Sequence, residues 1–313
     1  MNNNNITIGI TAYNEGQYLQ EAWDSVVNQI DECWEAIMIL DGGSDIKTEK
    51  VFDDISHPSL RKIKLGENNG PYHCRTLAIN NTNTEWYCHL DADDRLPPPA
   101  IKVLNITIDR EPNLDFIRGQ SLYFNSNMYN IKENRELDLE KLVYTLPITG
   151  TSPIKFKLFN SVGGYNRDLY DGGADWDFWI GVVELEAKGK YVNEIIYERR
   201  VRKNSIGANW VQQRHEVAHI LIKSHPKFFY NTYKKILCLS KSYEFAAREF
   251  KKIGKRKQAA KLANYAIRYD NRQKYLLFVT TTNEKNQIAD SIRPYVDKIK
   301  PTKPGIKIFD AGM

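Results

Sequence analysis

Long apolar runs are missing from this 313-residue chain. No stretch of about 18 apolar residues occurs, so no segment reads as a membrane-spanning helix. Cysteine is scarce. Cys33, Cys74, Cys88 and Cys238 stand far apart, and no pair has the spacing of a metal or redox motif. A disulfide scaffold is therefore excluded, and reduced thiols in a cytoplasmic protein are expected. The opening Met-Asn-Asn-Asn-Asn lacks a basic region followed by an apolar stretch, so no secretory signal is expected. With 42% hydrophobic and 27% charged residues, a disordered or collagenous chain is excluded as well.

What is present is unevenly distributed. Residues 1–199 carry 19 Lys and Arg against 31 Asp and Glu, and residues 200–313 carry 25 against 8, which leaves a net charge of +5. The acidic part suits a metal or polar ligand, the basic part a phosphate-rich or anionic partner.

Ile6, Ile8 and Ile10 alternate as in a strand, then Thr11-Ala12-Tyr13-Asn14-Glu15-Gly16 breaks the pattern. Leu19, Ala22, Trp23, Val26 and Val27 recur at helical spacing. Ala36–Leu40 is a short apolar run stopped by Asp41-Gly42-Gly43-Ser44-Asp45, with a helix to about Ile55. Ile63–Leu65, a helix over Tyr72–Asn80, and Trp86–Leu90 continue the alternation, the last running into Asp91-Ala92-Asp93-Asp94. This order predicts a mostly parallel sheet covered by helices on both faces. Ligands of such sheets bind beyond the carboxyl ends of the strands, where Asn14, Asp41 and Asp91 should meet. Further on, Pro97-Pro98-Pro99 opens a helix, Asp115–Gly119 reads as a strand, and residues 120–150 read as irregular and polar. A helix is expected over Trp176–Glu186 and a strand over Tyr191–Val201.

Asp91 and Asp93 are two residues apart in one turn. Mg²⁺ and Mn²⁺ take oxygen ligands, often one or two carboxylates plus substrate phosphates. A solvated acidic turn would carry the same residues.

The turn has company. Ile8–Gly16, Val26-Val27-Asn28-Gln29, Leu40–Asp45, Asn68-Asn69-Gly70 with Arg75, and His89–Asp94 follow one another in this order. The set resembles the nucleotide-sugar-binding half of glycosyltransferase family 2, of the GT-A fold. Gly163-Gly164-Tyr165 through Asp175-Trp176-Asp177-Phe178-Trp179 is similar to that family's acceptor-side motif. The resemblance covers roughly residues 5–206. It implies a Rossmann-like mixed, mostly parallel sheet, a divalent cation (Mn²⁺ or Mg²⁺), and inverting transfer from a nucleoside diphosphate sugar, with UDP favoured. The acceptor would be the hydroxyl of a glycan, glycolipid or protein.

By that resemblance Thr11 and Tyr13 flank the base, Asp41 accepts a hydrogen bond from base or ribose, and Arg75 contacts base or diphosphate. Asp91 meets the ribose or a metal-bound water, Asp93 ligates the ion, and Asp94 orients the donor sugar. Asp175 matches the general-base position, with Asp177 as the alternative, and Trp176 offers a face to an acceptor sugar. Three positions depart from the pattern. Gly42 stands where a second aspartate is common, Ala174 where glutamate is, and Arg202 near a common histidine. A cation cannot ligate a metal, so Arg202 is expected to bind the diphosphate directly. Residues 120–160 are expected to select the acceptor. A catalytically silent sugar-nucleotide-binding protein and a nucleotidyltransferase are the rival readings, although no glycine-rich phosphate loop supports the latter.

The expected domains are 1–214, the transferase, and 215–313, a basic helical region outside the resemblance. Phe245, Ala246, Phe250 and Ile253 form one stripe, and Ala259, Leu262, Ala263, Ala266 and Ile267 another after Gly254, which predicts a helical hairpin. Its Lys251-Lys252 and Lys255-Arg256-Lys257 clusters suit a solvated helix face, an anionic membrane surface at the inner face of the cell membrane, or a surface for dimerisation or for an acceptor protein. Nucleic acid is not expected, since no recognised module accompanies the charge. The end around Pro301–Pro304 reads as exposed.

Overall fold

The structure is a computed structural model and describes residues 6–125, 128–132, 137–148, 151–202 and 210–270. Lys203–Ser205 and Pro301–Pro304 lie outside the described residues. The chain divides into two compact units: residues up to Trp210 together with His219–Tyr230, and Val211–Ala218 together with the residues from Asn231 onward.

The first unit is built on β1 (Ile6–Ala12), β2 (Trp34–Leu40), β3 (Leu60–Lys64) and β4 (Trp86–Asp91). These pair in parallel, in the order β3-β2-β1-β4. Thr11 is level with Ile39 and Asp91, and Ala12 with Leu40, so three strands end together at one edge. One sheet face, carrying Ile6, Ile8, Ile10, Ala36, Met38, Leu40, Cys88 and Leu90, is buried by α1 (Leu19–Val27), α2 (Ile46–Asp54) and α4 (Ala100–Arg110). On the other side α3 (Pro71–Asn80) packs on β1 and β2. Apolar residues on both faces explain why these strands read as apolar runs.

The sheet continues through β7 (Ile154–Lys155) to β5 (Phe116–Asn125) and β6 (Met128–Lys132) in antiparallel pairing, and β8 (Gly189–Arg200) lies parallel to β5. The expectation of irregular chain over 120–150 is corrected here. β5 runs on to Asn125, β6 follows, and α5 (Leu139–Leu142) is a short helix. Gln120 and Ser121 are buried polar residues whose strand conformation comes from pairing with β8. Local apolar alternation does not signal such a strand. α6 (Phe156–Val162) ends at Gly163, whose φ of 96° is the left-handed cap conformation that glycine adopts readily. α7 (Ala174–Glu184) follows.

Helix α8 (Arg214–Ser224) precedes the hairpin of α9 (Thr232–Lys252) and α10 (Arg256–Tyr269). The predicted α10 stripe is buried as a set. On α9 the stripe differs. Ile253 is exposed, and Leu239, Tyr243, Ala246 and Ala247 form the buried face, with Tyr243 near the rings of Tyr265 and Tyr269.

Candidate active site

The level strand ends open onto a cavity of about 780 Å³. Its wall includes Thr11 and Tyr13 after β1, Asp41 after β2, Asp91, Asp93 and Asp94 at the end of β4, and Tyr72 and Arg75 on α3. Asp175 on α7 and Arg202 beyond β8 complete it.

Asp41 has a task the sequence did not announce. Its Oδ1 accepts the backbone N–H groups of Gly42 (3.0 Å) and Asn69 (2.9 Å), and its Oδ2 accepts that of Gly70 (2.8 Å). One buried carboxylate thus holds the Asn68-Asn69-Gly70 loop against the cavity. The same loop explains Gly42. A Cβ there would lie 2.2 Å from the Glu67 backbone nitrogen, so no second aspartate fits without moving that strand of chain.

At the carboxylate turn each aspartate has a different partner. Arg75 donates from Nη2 to Asp91 Oδ1 (2.6 Å) and from Nε to His89 Nε2 (2.9 Å). Burial opposes ionisation of Asp91, but the Arg75 guanidinium outweighs it and holds the carboxyl well below the usual range. Asp94 is buried and accepts the Tyr197 hydroxyl (2.8 Å) and the Arg200 N–H (2.7 Å), which ties the turn to β8. Burial, then the charges of Asp91 and Asp93, push its carboxyl up to about 8. Asp93 lies between these extremes. Burial and the charge of Asp91 raise it to about 6, and Arg202, with Nε 2.6 Å from Asp93 Oδ2, draws it back.

Across α3, Tyr72 and Arg75 are three apart and so share a face, the guanidinium 5.3 Å from the ring centroid. Burial, followed by the negative charge of Asp175, pushes the Tyr72 hydroxyl well above the usual phenol range. Asp175 stands in the first turn of α7 behind Gly173, where the helix N-terminus favours a carboxylate. Its Oδ1 accepts the Trp176 N–H at 2.9 Å.

The structure brings Thr11, Tyr13, Asp41, Arg75, Asp91, Asp93, Asp94, Asp175 and Arg202 to one cavity. It does not bring Trp176 and Asp177 there. Trp176 is 1% exposed, and its indole donates to the Leu142 carbonyl at 2.8 Å, so it is a core residue and presents no face to an acceptor. Asp177 is buried 3.2 Å from His225 Nε2, with Asn166 donating to it at 3.3 Å. Residues at positions 175, 176 and 177 of a helix point roughly 100° apart, which only the packing of α7 resolves. Sequence reasoning missed Tyr72, Tyr123, Tyr170 and Arg199 as wall residues. Tyr72 had a signal in its i, i+3 relation to Arg75; the others had none.

Among the described residues no group of three or more His, Cys, Asp or Glu side chains is arranged to hold a metal ion. Asp91 and Asp93 of the carboxylate turn are both in the cavity wall. That set fits Mg²⁺ or Mn²⁺, which are bound through one or two carboxylates completed by substrate phosphates, and fits no all-protein cage.

Residues 7–168 match the family model described as Glycosyl transferase family 2. The teichoic acid poly(glycerol phosphate) polymerase of Staphylococcus epidermidis is 26% identical over 62% of this chain and 27% of its own length. The glycosyltransferase GlyA of Streptococcus pneumoniae is 25% identical over 66% of this chain and 32% of its own length. The chain therefore spans about a quarter to a third of these curated relatives. An uncharacterized glycosyltransferase of Methanocaldococcus jannaschii is 21% identical over 71% of this chain and 79% of its own length. Among solved structures, S. aureus TarS 1–349 in complex with UDP-GlcNAc superposes with a TM-score of 0.65 at 16% identity, over 94% of this chain and 88% of that one. The mannosyltransferase PcManGT from Pyrobaculum calidifontis, with GDP-Man and Mn²⁺, gives 0.55 at 16% identity over the same shares. At these identities the likeness establishes the GT-A-like fold.

Proposed function

Because the chain belongs to glycosyl transferase family 2, we propose that it transfers a sugar, with inversion, from a UDP-sugar to an acceptor hydroxyl in the synthesis of a cell-surface glycan or glycoconjugate. The observation that carries this reading is that the carboxylate turn and Asp175 line one cavity. UDP is favoured because TarS was solved with UDP-GlcNAc.

In this reading Tyr13 stacks on the base, Thr11 lies beside it, and Arg75 and Arg202 face the diphosphate, where a guanidinium can grip phosphate oxygens in pairs. Asp41 acts on the donor through the loop it holds. Asp93, supported by Asp91, would hold a divalent cation, which when bound neutralises charge on the departing nucleoside diphosphate. Asp94 keeps the turn in place from β8. Asp175 takes the proton of the attacking hydroxyl as the O–C bond to the sugar forms and the bond to the diphosphate breaks. The basic α9–α10 hairpin has 11 Lys and Arg against 2 Glu over Thr232–Tyr269 and suits an anionic membrane surface, beside which a lipid-linked acceptor would be found. Among the described residues no helix is long and apolar enough to cross a membrane.

The test is release of nucleoside diphosphate from a panel of UDP-, GDP- and dTDP-sugars with Mn²⁺, with Asp93→Ala as control. Release from one UDP-sugar that the variant loses is expected. Release from GDP- or dTDP-sugars alone would overturn the donor assignment, and donor binding without turnover on any acceptor would favour the binding-only alternative.

A further inference from the structure

The arginines around the carboxylate turn are not paired alike. Arg75 reaches Asp91 and His89 through aligned hydrogen bonds, and Arg200 does the same to the Asp93 carbonyl (2.8 Å) and Glu21 (2.6 Å). These two are built into the framework. Arg202 differs. Its Nε is 2.6 Å from Asp93 Oδ2, yet that buried N–H has no hydrogen-bond acceptor in line with it. Its Nη2 is 3.6 Å from Glu15 Oε1, too far for a direct hydrogen bond. The side chain is about a quarter exposed and lines the cavity. Arg202 is therefore held by charge and by its packing over the Tyr18 ring, without the two parallel hydrogen bonds that make an arginine–carboxylate pair strong.

We infer that Arg202 is a built-in competitor for the divalent cation at Asp93, which it occupies until a diphosphate arrives to receive the guanidinium. The inference rests on the metal reading above. A divalent ion brought to the Asp93 carboxylate, whose Oδ2 already faces the guanidinium, meets the like charge of Arg202 at close range. A diphosphate removes the conflict, because it offers oxygens to both cations. The unaligned geometry makes the exchange possible, since giving up Asp93 breaks no well-formed hydrogen bond of Arg202. Cation and diphosphate should then bind synergistically, and the coupling must be the same in both directions.

The experiment measures Mn²⁺ binding to the full chain by the electron paramagnetic resonance signal of free ion, with and without UDP, corrected for Mn²⁺–UDP in buffer. Wild type, Arg202→Gln and Arg202→Lys are compared, with circular dichroism as the check on folding. Wild type should bind Mn²⁺ weakly alone and more tightly with UDP. Arg202→Gln should bind Mn²⁺ alone about tenfold more tightly and lose UDP enhancement by a similar factor, within the usual range of coupling between sites. Arg202→Lys, which keeps the charge, should stay near wild type. Unchanged or weaker Mn²⁺ binding by folded Arg202→Gln, beside intact Mn²⁺–UDP binding by wild type, would overturn this inference alone. No Mn²⁺ binding by either protein, even with UDP, would overturn the metal reading and the inference with it.

Discussion

Asp41→Asn separates two roles for one carboxylate. In the native chain three backbone N–H groups end on it: Gly42 and Asn69 on Oδ1, Gly70 on Oδ2. The amide keeps one oxygen for two of them and turns an N–H toward the Gly70 N–H, so one bond becomes an opposition of donors. Flipping the amide exposes two donors instead of one and is worse. Hydrogen bonds to a charged group contribute about 1.5–3 kcal/mol and neutral ones about 1 kcal/mol. Losing one and weakening two amounts to roughly 3 kcal/mol, after allowing water to reach Asn69 and Gly70. For a unit of this size, each kcal/mol moves the melting temperature by about 2–4 °C, so a fall of about 6–12 °C is expected. Calorimetry of wild type and variant measures it, and titration with UDP follows donor affinity in parallel. If Asp41→Asn melts within about 1 °C of wild type while UDP binding falls, the loop-holding argument is wrong and Asp41 acts as a direct contact to the donor.

Asp175→Asn should lower turnover by about 10²–10⁴ while leaving donor affinity within about twofold, as for loss of a general base; an equal loss of donor affinity would remove Asp175 from that role. His225 is flanked by Glu184 Oε2 (2.9 Å) and Asp177 Oδ1 (3.2 Å), and although burial lowers it, the two carboxylates prevail and raise it above the ordinary histidine value. Its contribution is therefore complete below about pH 6.5 and is lost as pH rises through the higher folded value, so the melting temperatures of wild type and His225→Gln should converge between pH 6 and 9. A gap that stays constant over that range would refute the assignment. Flotation with anionic liposomes at ordinary salt should recover the chain, and equal recovery with neutral liposomes would sink the membrane reading of α9–α10.

Much of the first unit was legible before any coordinates. Strands β1, β2 and β4 are buried on both faces, so each had to appear as an apolar run, and each stops at a polar turn because the sheet edge is where backbone and side chains meet water. Parallel pairing then places those turns side by side, so the meeting of Asp41 and Asp91 was expected from order alone, whereas Asn14, expected with them, is not in the cavity wall and accepts the Asp45 N–H instead. α10 was legible for a similar reason, since one helix face meets its partner and repeats every three to four residues. β6 and the far half of β5 were not, because Gln120 and Ser121 are held by neighbours distant in sequence.

The local sequence therefore determined the elements, their order and the chemical character of the turn, since burial and periodicity act over a few residues. Tertiary structure alone decided which side of α7 reaches the cavity, and so sent Asp175 to it while burying Trp176 and Asp177. It alone brought Glu67 against Gly42, the loop onto Asp41, and Arg202 onto Asp93 across more than a hundred residues. Contacts of that kind depend on distance in space, which the register of a sheet and the rotation of a helix set and which no single segment encodes.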